Sequence, residues 1–368
     1  GTYGGVRGRG LAAPSYSIKT ERSVDQLSNV KISVDIGYGY TKGVIQGKQV
    51  SFPSLIAPYE VGPFDDNNEM FDTTINYRTF VRAGSLIADK IVGDAARRSS
   101  SAQRMAGDEK PSEMHDILML TCIALLLDGQ PLEVKIDLAL GLPLSYYRSQ
   151  KGKLQKRISC MAGRVRVSGQ PERHISFSSV NIYPQGMGAI IASGIQTPTD
   201  GYVGLIDLGT YTTDFLLLEF ENGRSFPVNE CCRSIAVGIE QIYKALDAEF
   251  QKLTGRVLPP RMYQQTLDKT VKNQSIAHST GYLDLSAALR KGKEEVSEAV
   301  ASYIKSNWGD RVQFLQATIL AGGGAQYFIE KLKESMPHVT VVPDPIFANA
   351  QGYYKMIQQQ LKLVKAVG

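Results

Sequence analysis

Hydrophobic and polar positions begin to alternate at Lys31, where Ile32, Val34 and Ile36 share one side of a predicted strand. That strand stops at Gly37-Tyr38-Gly39, and an extended pattern resumes over Val44–Val50, so the segment reads as a strand, a glycine turn and a returning strand. Residues 1 to about 30 have no period and are rich in glycine, serine and charge, the texture of a mobile arm. Tyr59–Arg82 is polar and irregular around Asp65-Asp66-Asn67-Asn68, as expected of a surface insertion.

A helix predicted over about Ser112–Leu127 leads to a strand with Val134, Ile136, Leu138 and Leu140 at alternate positions, closed by Gly141-Leu142-Pro143. Val180 and Ile182 then lead through Tyr183-Pro184-Gln185-Gly186 into a helix ending near Ser193, and Thr197-Pro198-Thr199-Asp200-Gly201 reads as a hinge. Beyond the hinge the opening device returns: the apolar strand Tyr202–Leu208, the turn Gly209-Thr210-Tyr211-Thr212-Thr213, and a second strand Asp214–Glu221. Helices over about Ile239–Leu253 and Leu285–Asn307, a strand at Ala317–Leu320, the link Gly322-Gly323-Gly324 and a helix with Phe328, Ile329 and Leu332 follow. Alternating strands and helices, with one hairpin used twice, predict a duplicated α/β architecture whose two halves flank a cleft. The halves are expected at residues 31–196 with 340–368, and at 197–339.

Composition narrows the partners. A chain of 368 residues with 43% hydrophobic content can bury a sizeable core. Its net charge of +5, from 41 basic and 36 acidic residues, is too slight a bias to indicate nucleic-acid binding. The longest apolar run, Ile117–Leu127, falls far short of the roughly 20 residues of a membrane helix. Arg7 and Arg9 stand where a secretory leader needs an apolar core, so none is expected. Cys122, Cys160, Cys231 and Cys232 lack zinc-finger spacing and fit buried thiols in a reducing cytosol, the vicinal pair as strand packing. His115, His174, His278 and His338 are scattered without ligand spacing. The amphipathic stretch Tyr354–Val364 is expected to dock as a final helix rather than touch a membrane.

Three segments carry candidate chemistry. In Asp35-Ile36-Gly37-Tyr38-Gly39-Tyr40-Thr41-Lys42, glycines at a strand-to-strand turn permit close backbone approach to phosphate oxygens, with Lys42 in reach of the same anion. Asp35 ends the buried strand, where a carboxylate can hold hydrated Mg²⁺. Asp207-Leu208-Gly209-Thr210-Tyr211-Thr212-Thr213-Asp214 repeats the device, and Gly322-Gly323-Gly324 joins a strand to a helix where a ribose or flat ring can lie against the main chain. Each alone reads equally as an ordinary loop; repetition and order argue for one site.

In that order the three segments resemble the phosphate 1, phosphate 2 and adenosine motifs of the actin, Hsp70 and sugar-kinase superfamily. Val92-Gly93-Asp94-Ala95, Gly141-Leu142-Pro143 and Phe347-Ala348-Asn349-Ala350-Gln351-Gly352 are similar to bacterial and archaeal actin-like proteins, especially the ParM/StbA plasmid-segregation group. The resemblance implies that Asp35 and Asp207 bind Mg²⁺ through water and that the backbones of Gly37, Tyr38 and Gly39 and of Gly209, Thr210, Tyr211 and Thr212 hold phosphates, with Lys42 neutralising them. It implies that Gln185 orients the attacking water where many segregation relatives have glutamate, and that Gly238, Gly322, Gly323, Gly324, Gln326 and Tyr327 line the nucleoside. The helix with Lys291 and Glu295 is a candidate for a ribose contact.

The function so implied is a cytoplasmic, filament-forming ATPase that uses ATP with Mg²⁺, GTP being an alternative. Its partners would be further copies of itself and a DNA-binding adaptor of the ParR type. A small-molecule kinase of the same superfamily is the competing reading, although no second catalytic aspartate motif stands out. A nucleotide-binding adaptor that does not polymerise is another.

Overall fold

The computed structural model describes residues 29–63, 77–105, 112–336 and 338–367. The expected arm, up to residue 28, and the Asp65–Asn68 centre of the insertion lie outside them.

A ten-stranded sheet forms from β1 (Val30–Ile36), β2 (Tyr40–Ile45), β3 (Lys48–Pro53), β4 (Leu55–Pro58), β5 (Tyr77–Ala83), β6 (Leu86–Val92), β7 (Gln103–Arg104), β8 (Glu133–Leu142), β9 (Ala162–Val167) and β10 (Arg173–Pro184). Its order is β3-β2-β1-β8-β10-β9-β5-β6-β4-β7. A second sheet takes β11 (Gly201–Leu208), β12 (Thr213–Glu221), β13 (Arg224–Pro227) and β14 (Arg233–Ile235). Past the small hairpin of β15 (Ile276–His278) and β16 (Gly281–Leu283), it is completed by β17 (Leu315–Ala321) and β18 (Val339–Val341), in the order β13-β12-β11-β17-β18 with β14 beside β12.

The duplication is explicit in these orders. β3-β2-β1-β8-β10 and β13-β12-β11-β17-β18 share connectivity and direction, two antiparallel pairings followed by two parallel ones. The first sheet then continues past β10 into β9, β5, β6, β4 and β7. Two expectations are corrected here. Residues 77–82 of the expected irregular insertion belong to β5, and Gly47 (φ 75°) divides the single returning strand into β2 and β3.

The helices are α1 (Ser112–Leu126), α2 (Leu144–Ser159), α3 (Met187–Ser193), α4 (Ile239–Thr254), α5 (Tyr263–Val271), α6 (Ser286–Asn307), α7 (Ala325–Ser335) and α8 (Ala348–Val367). α1 is apolar on all sides and is accordingly buried against the first sheet. Gly43 of β2 makes room for it, because a Cβ there would run into Cys122 Sγ and Leu126. Its buried Asp116 is bonded by both the His115 ring at 3.1 Å and Arg157 of α2. Across β1, Ser33 Oγ donates to the Ala350 carbonyl of α8 at 2.6 Å, so the strand is covered on both faces.

α3 and α8 cross between the sheets. A Cβ on Gly352 would overlap the Gly188 carbonyl, so the two backbones touch there. Ala189 and Ala348 join the apolar cluster under the second sheet, while Tyr353 and Ile357 pack on Ala139 of the first. The final helix is thus docked along its first half. No helix among the described residues is long and apolar enough to cross a membrane.

The thiols depart from expectation in two respects. Cys160 is exposed, and Cys231 sits in the short 3₁₀ turn Asn229–Cys231 rather than in a strand. Cys231 is nevertheless fully buried beneath Trp308, whose indole N–H donates to its carbonyl at 3.4 Å.

Candidate functional site

The two hairpins are built alike, position by position. Asp35 pairs across the ladder with Lys42 and Ile36 with Thr41; Asp207 pairs with Asp214 and Leu208 with Thr213. Each turn is closed by its first glycine, the Gly37 N–H donating to the Tyr40 carbonyl and the Gly209 N–H to Thr212, both at 2.9 Å. These two amides are therefore engaged within the turns and are not donors for a ligand. The buried threonines pin the turns from behind: Thr41 bonds the Ser54 hydroxyl at 2.9 Å, and Thr213 donates to the Val237 carbonyl at 2.7 Å.

The tips meet. A Cβ on Gly39 would strike Thr210 Oγ1, so only glycine allows this approach, and the Tyr38 and Tyr211 rings pack edge-on at 4.9 Å. Between and beside the hairpins lies a cavity of about 240 Å³. Asp35, Gly37, Tyr38, Gly39, Lys42, Gln185, Asp207, Gly209, Thr210, Thr212, Gly322, Gly323, Gln326 and Tyr327 all line it.

At its floor the carboxylates of Asp35 and Asp207 are both buried. Lys42 Nζ approaches one oxygen of Asp35 at 3.3 Å, and Gln185 Nε2 donates to the other at 3.1 Å. Asn349 Nδ2 donates to Asp207 at 2.6 Å, while its Oδ1 accepts the Gly186 and Ala189 N–H groups at the start of α3. One α8 side chain thereby ties the second hairpin to the turn that carries Gln185. Burial, reinforced by the Asp35 charge and opposed by Asn349 and Lys42, pushes the Asp207 carboxyl up to about 6.

The glycine link closes the same end. Gly322 has φ 90°, and a Cβ there would overlap the Leu208 carbonyl and crowd Asp207 Oδ1 at 2.5 Å. Three expected contacts instead stand behind the cavity wall. Gly324 backs onto Leu208, its N–H donating to that carbonyl at 2.9 Å. Gly238 lets α4 abut the second hairpin, whose Gly209 and Thr210 carbonyls accept the Ile239 and Glu240 N–H groups at 3.1 and 2.8 Å. Tyr211 is taken up by its neighbour ring and by Arg104. Lys291 and Glu295 do not reach the cavity; they pair with each other at 3.9 Å on the exposed side of α6.

Several lining residues carry no signal that singles them out in the sequence. Asn349 falls within a noted stretch, yet its bridging role depends on the α3–α8 crossing. Gln264 and Asp268 lie on α5, four residues apart, a spacing common to any amphipathic helix. Gln264 Nε2 donates to Asp268 Oδ1 at 2.7 Å, and its own carbonyl accepts the Tyr243 hydroxyl. Burial raises the Asp268 carboxyl above its ordinary value, with Gln264 and Lys272 pulling it back. Asp214, opposite Lys42 in the repeat, accepts the Ser234 hydroxyl.

Away from α3 and α8 the halves are fastened again. Arg104 of β7 pairs with Glu240 of α4 at 3.4 Å, and its guanidinium lies 5.2 to 5.7 Å from the ring centroids of Tyr211, Tyr243 and Tyr263. Burial raises Glu240 despite this partner.

Residues 33–188 match a family model described as actin like proteins N terminal domain, and residues 205–334 match one described as archaeal actin homologue MreB-like, C-terminal. An archaeal actin homolog of Thermoplasma volcanium is 26% identical over 346 residues, covering 88% of this chain and 97% of the relative. A 15-stranded ParM filament from Clostridium botulinum is similar with a TM-score of 0.80 at 26% identity, over 90% of this chain and 99% of the other. An archaeal actin homolog in complex with ADP shares the fold, with a TM-score of 0.69 at 23% identity over 90% and 99%.

Proposed function

Because the chain belongs to the actin-like superfamily, we propose that it is a cytoplasmic ATPase that assembles into filaments with nucleotide and acts in plasmid DNA segregation through a ParR-type adaptor. The observation that carries the reading is the pair of matching hairpins meeting tip to tip, each with an aspartate at its base, over one cavity. ATP and ADP are the proposed ligands, with GTP an alternative. The halves that close on them are residues 31–196 with 340–368, and 197–339.

The floor of the cavity fits a hydrated Mg²⁺ ion. Two buried carboxylates face it with one lysine, and burial, with the Asp35 charge adding to it, raises the Asp207 carboxyl. When bound, the ion neutralises phosphate charge. Asp35 and Asp207 hold its waters, and Lys42 adds a point charge beside them. Gln185 commits its amide N–H to Asp35, which presents its carbonyl oxygen as an acceptor for one water. A glutamine is no general base at neutral pH, so its contribution is alignment and the expected turnover is slow.

Sedimentation and electron microscopy of one sample in Mg-ATP, in Mg-GTP and without nucleotide test the proposal. Filaments that require nucleotide support it. Intact nucleotide binding without polymer at high protein concentration transfers the assignment to a non-polymerising adaptor or a kinase of the same fold.

A further inference from the structure

The carboxylate of Asp268 faces the cavity on the side of Gln264 and Tyr327, whereas Asp35, Lys42 and Asp207 occupy the floor under the hairpins. Gln264 fixes it in place. That amide cannot turn over without breaking two bonds at once, its donor bond to Asp268 and the bond its carbonyl accepts from Tyr243. Among the described residues the Gln264 bond is the hydrogen bond to Asp268, and each carboxylate oxygen has capacity for a second. Tyr40 and Tyr327 also line the cavity, and burial first and the Asp268 charge second raise both phenols. When ionised, Asp268 therefore gives the side of the cavity away from the two floor aspartates a fixed, acceptor-only group.

We infer that Asp268 reads the base, and that the cavity takes a guanine nucleotide in preference to an adenine nucleotide. The inference rests on the nucleotide-site reading and, of the two nucleotides named there, selects the alternative, GTP, over ATP. An acceptor-only group discriminates between the purines by their Watson–Crick edges. Guanine offers adjacent N1–H and N2–H donors that two carboxylate oxygens can accept together, a charge-assisted bidentate pair. Adenine offers one donor at N6 and directs the N1 lone pair at the same carboxylate. A site whose polar group is left facing a lone pair rejects that ligand more sharply than one that merely loses packing.

The test is calorimetric titration of the full chain with the magnesium complexes of GDP, ADP, inosine diphosphate and xanthosine diphosphate, repeated on Asp268→Asn after its fold is checked by circular dichroism. The expected result is GDP tighter than ADP by about tenfold or more, with inosine diphosphate, which lacks the 2-amino group, between them. Asp268→Asn should weaken GDP by a similar factor and improve xanthosine diphosphate, whose C2 carbonyl suits an amide donor. ADP binding as tightly as GDP overturns the inference and leaves the nucleotide site standing. Equal loss of both diphosphates in the variant, matched by loss with 3′-deoxy ligands, also overturns it and places Asp268 on the ribose. If no nucleotide binds the folded wild-type chain, the reading of the cavity itself fails, and this inference with it.

Discussion

Gln185 and Asn349 approach the cavity floor from different elements, and each holds one of the two buried aspartates. If Gln185 aligns water, Gln185→Ala should keep nucleotide binding and slow phosphate release by about tenfold or more; an unchanged single-turnover rate would remove the role. Asp207 gives a separate handle. Burial pushes its carboxyl from the ordinary 3.8 up to about 6, so its contribution to stability is fully present below 3.8 and lost as pH rises through about 6. That difference amounts to about 3 kcal/mol. In metal-free, nucleotide-free protein, Asp207→Asn should escape this loss, so its urea midpoint relative to wild type should rise between about pH 4 and pH 7. A parallel pH dependence in both proteins would refute the assignment. At this scale the sequence made the floor aspartates, Lys42 and the turn glycines visible because they sit in a repeated pattern. It left Gln264 and Asp268 unmarked and gave Asn349, within a noted stretch, no role, because their positions follow from how helices cross and not from any local spacing.

The elements that were legible are those with one clean period. β1 and the helix beginning near Ile239 show it, β11 is legible instead as an unbroken apolar run, and the hairpins announce themselves by glycine and threonine at the turn. α2 is polar, with Leu154 and Ile158 its buried positions, so its periodic signal is faint. β5 buries Thr79 beside Val81 and Ala83, and a polar residue on the inner face disguises the alternation. β1 itself shows the limit of this reading, since Ser33 and Asp35 are as buried as Ile32, Val34 and Ile36 with which they alternate. The α3–α8 crossing escaped for a further reason: its glycines matter only when two distant segments meet. Gly352→Ala would place a methyl group in the Gly188 carbonyl, force the helices apart and lower stability by about 3 kcal/mol. Thermal unfolding measures it, and a variant as stable as wild type would show that the two backbones are not in contact.

For the whole molecule, the consequence of duplication is that two similar sheets are joined along α3 and α8 and fastened once more by Arg104 on Glu240. The guanidinium and carboxylate are both largely shielded, at 17% and 16% side-chain exposure, so removing one leaves the other poorly solvated. Arg104→Ala should cost about 1–3 kcal/mol in urea unfolding. It should also raise the radius of gyration of the nucleotide-free chain in solution scattering. Unchanged scattering with lowered stability would mean that Arg104 is packing alone and does not hold the halves together.

The repeat has one mismatch with a consequence of its own. The seventh position after the leading aspartate is Lys42 in one hairpin and Asp214 in the other. Two identical hairpins facing each other would generate a local approximate twofold axis, and an elongated anion would find the same surroundings whichever end entered first. A cation in one hairpin and an anion in the other breaks that symmetry. The chain acquires a sense of direction at its centre, and a ligand with distinguishable ends has one orientation of lower energy.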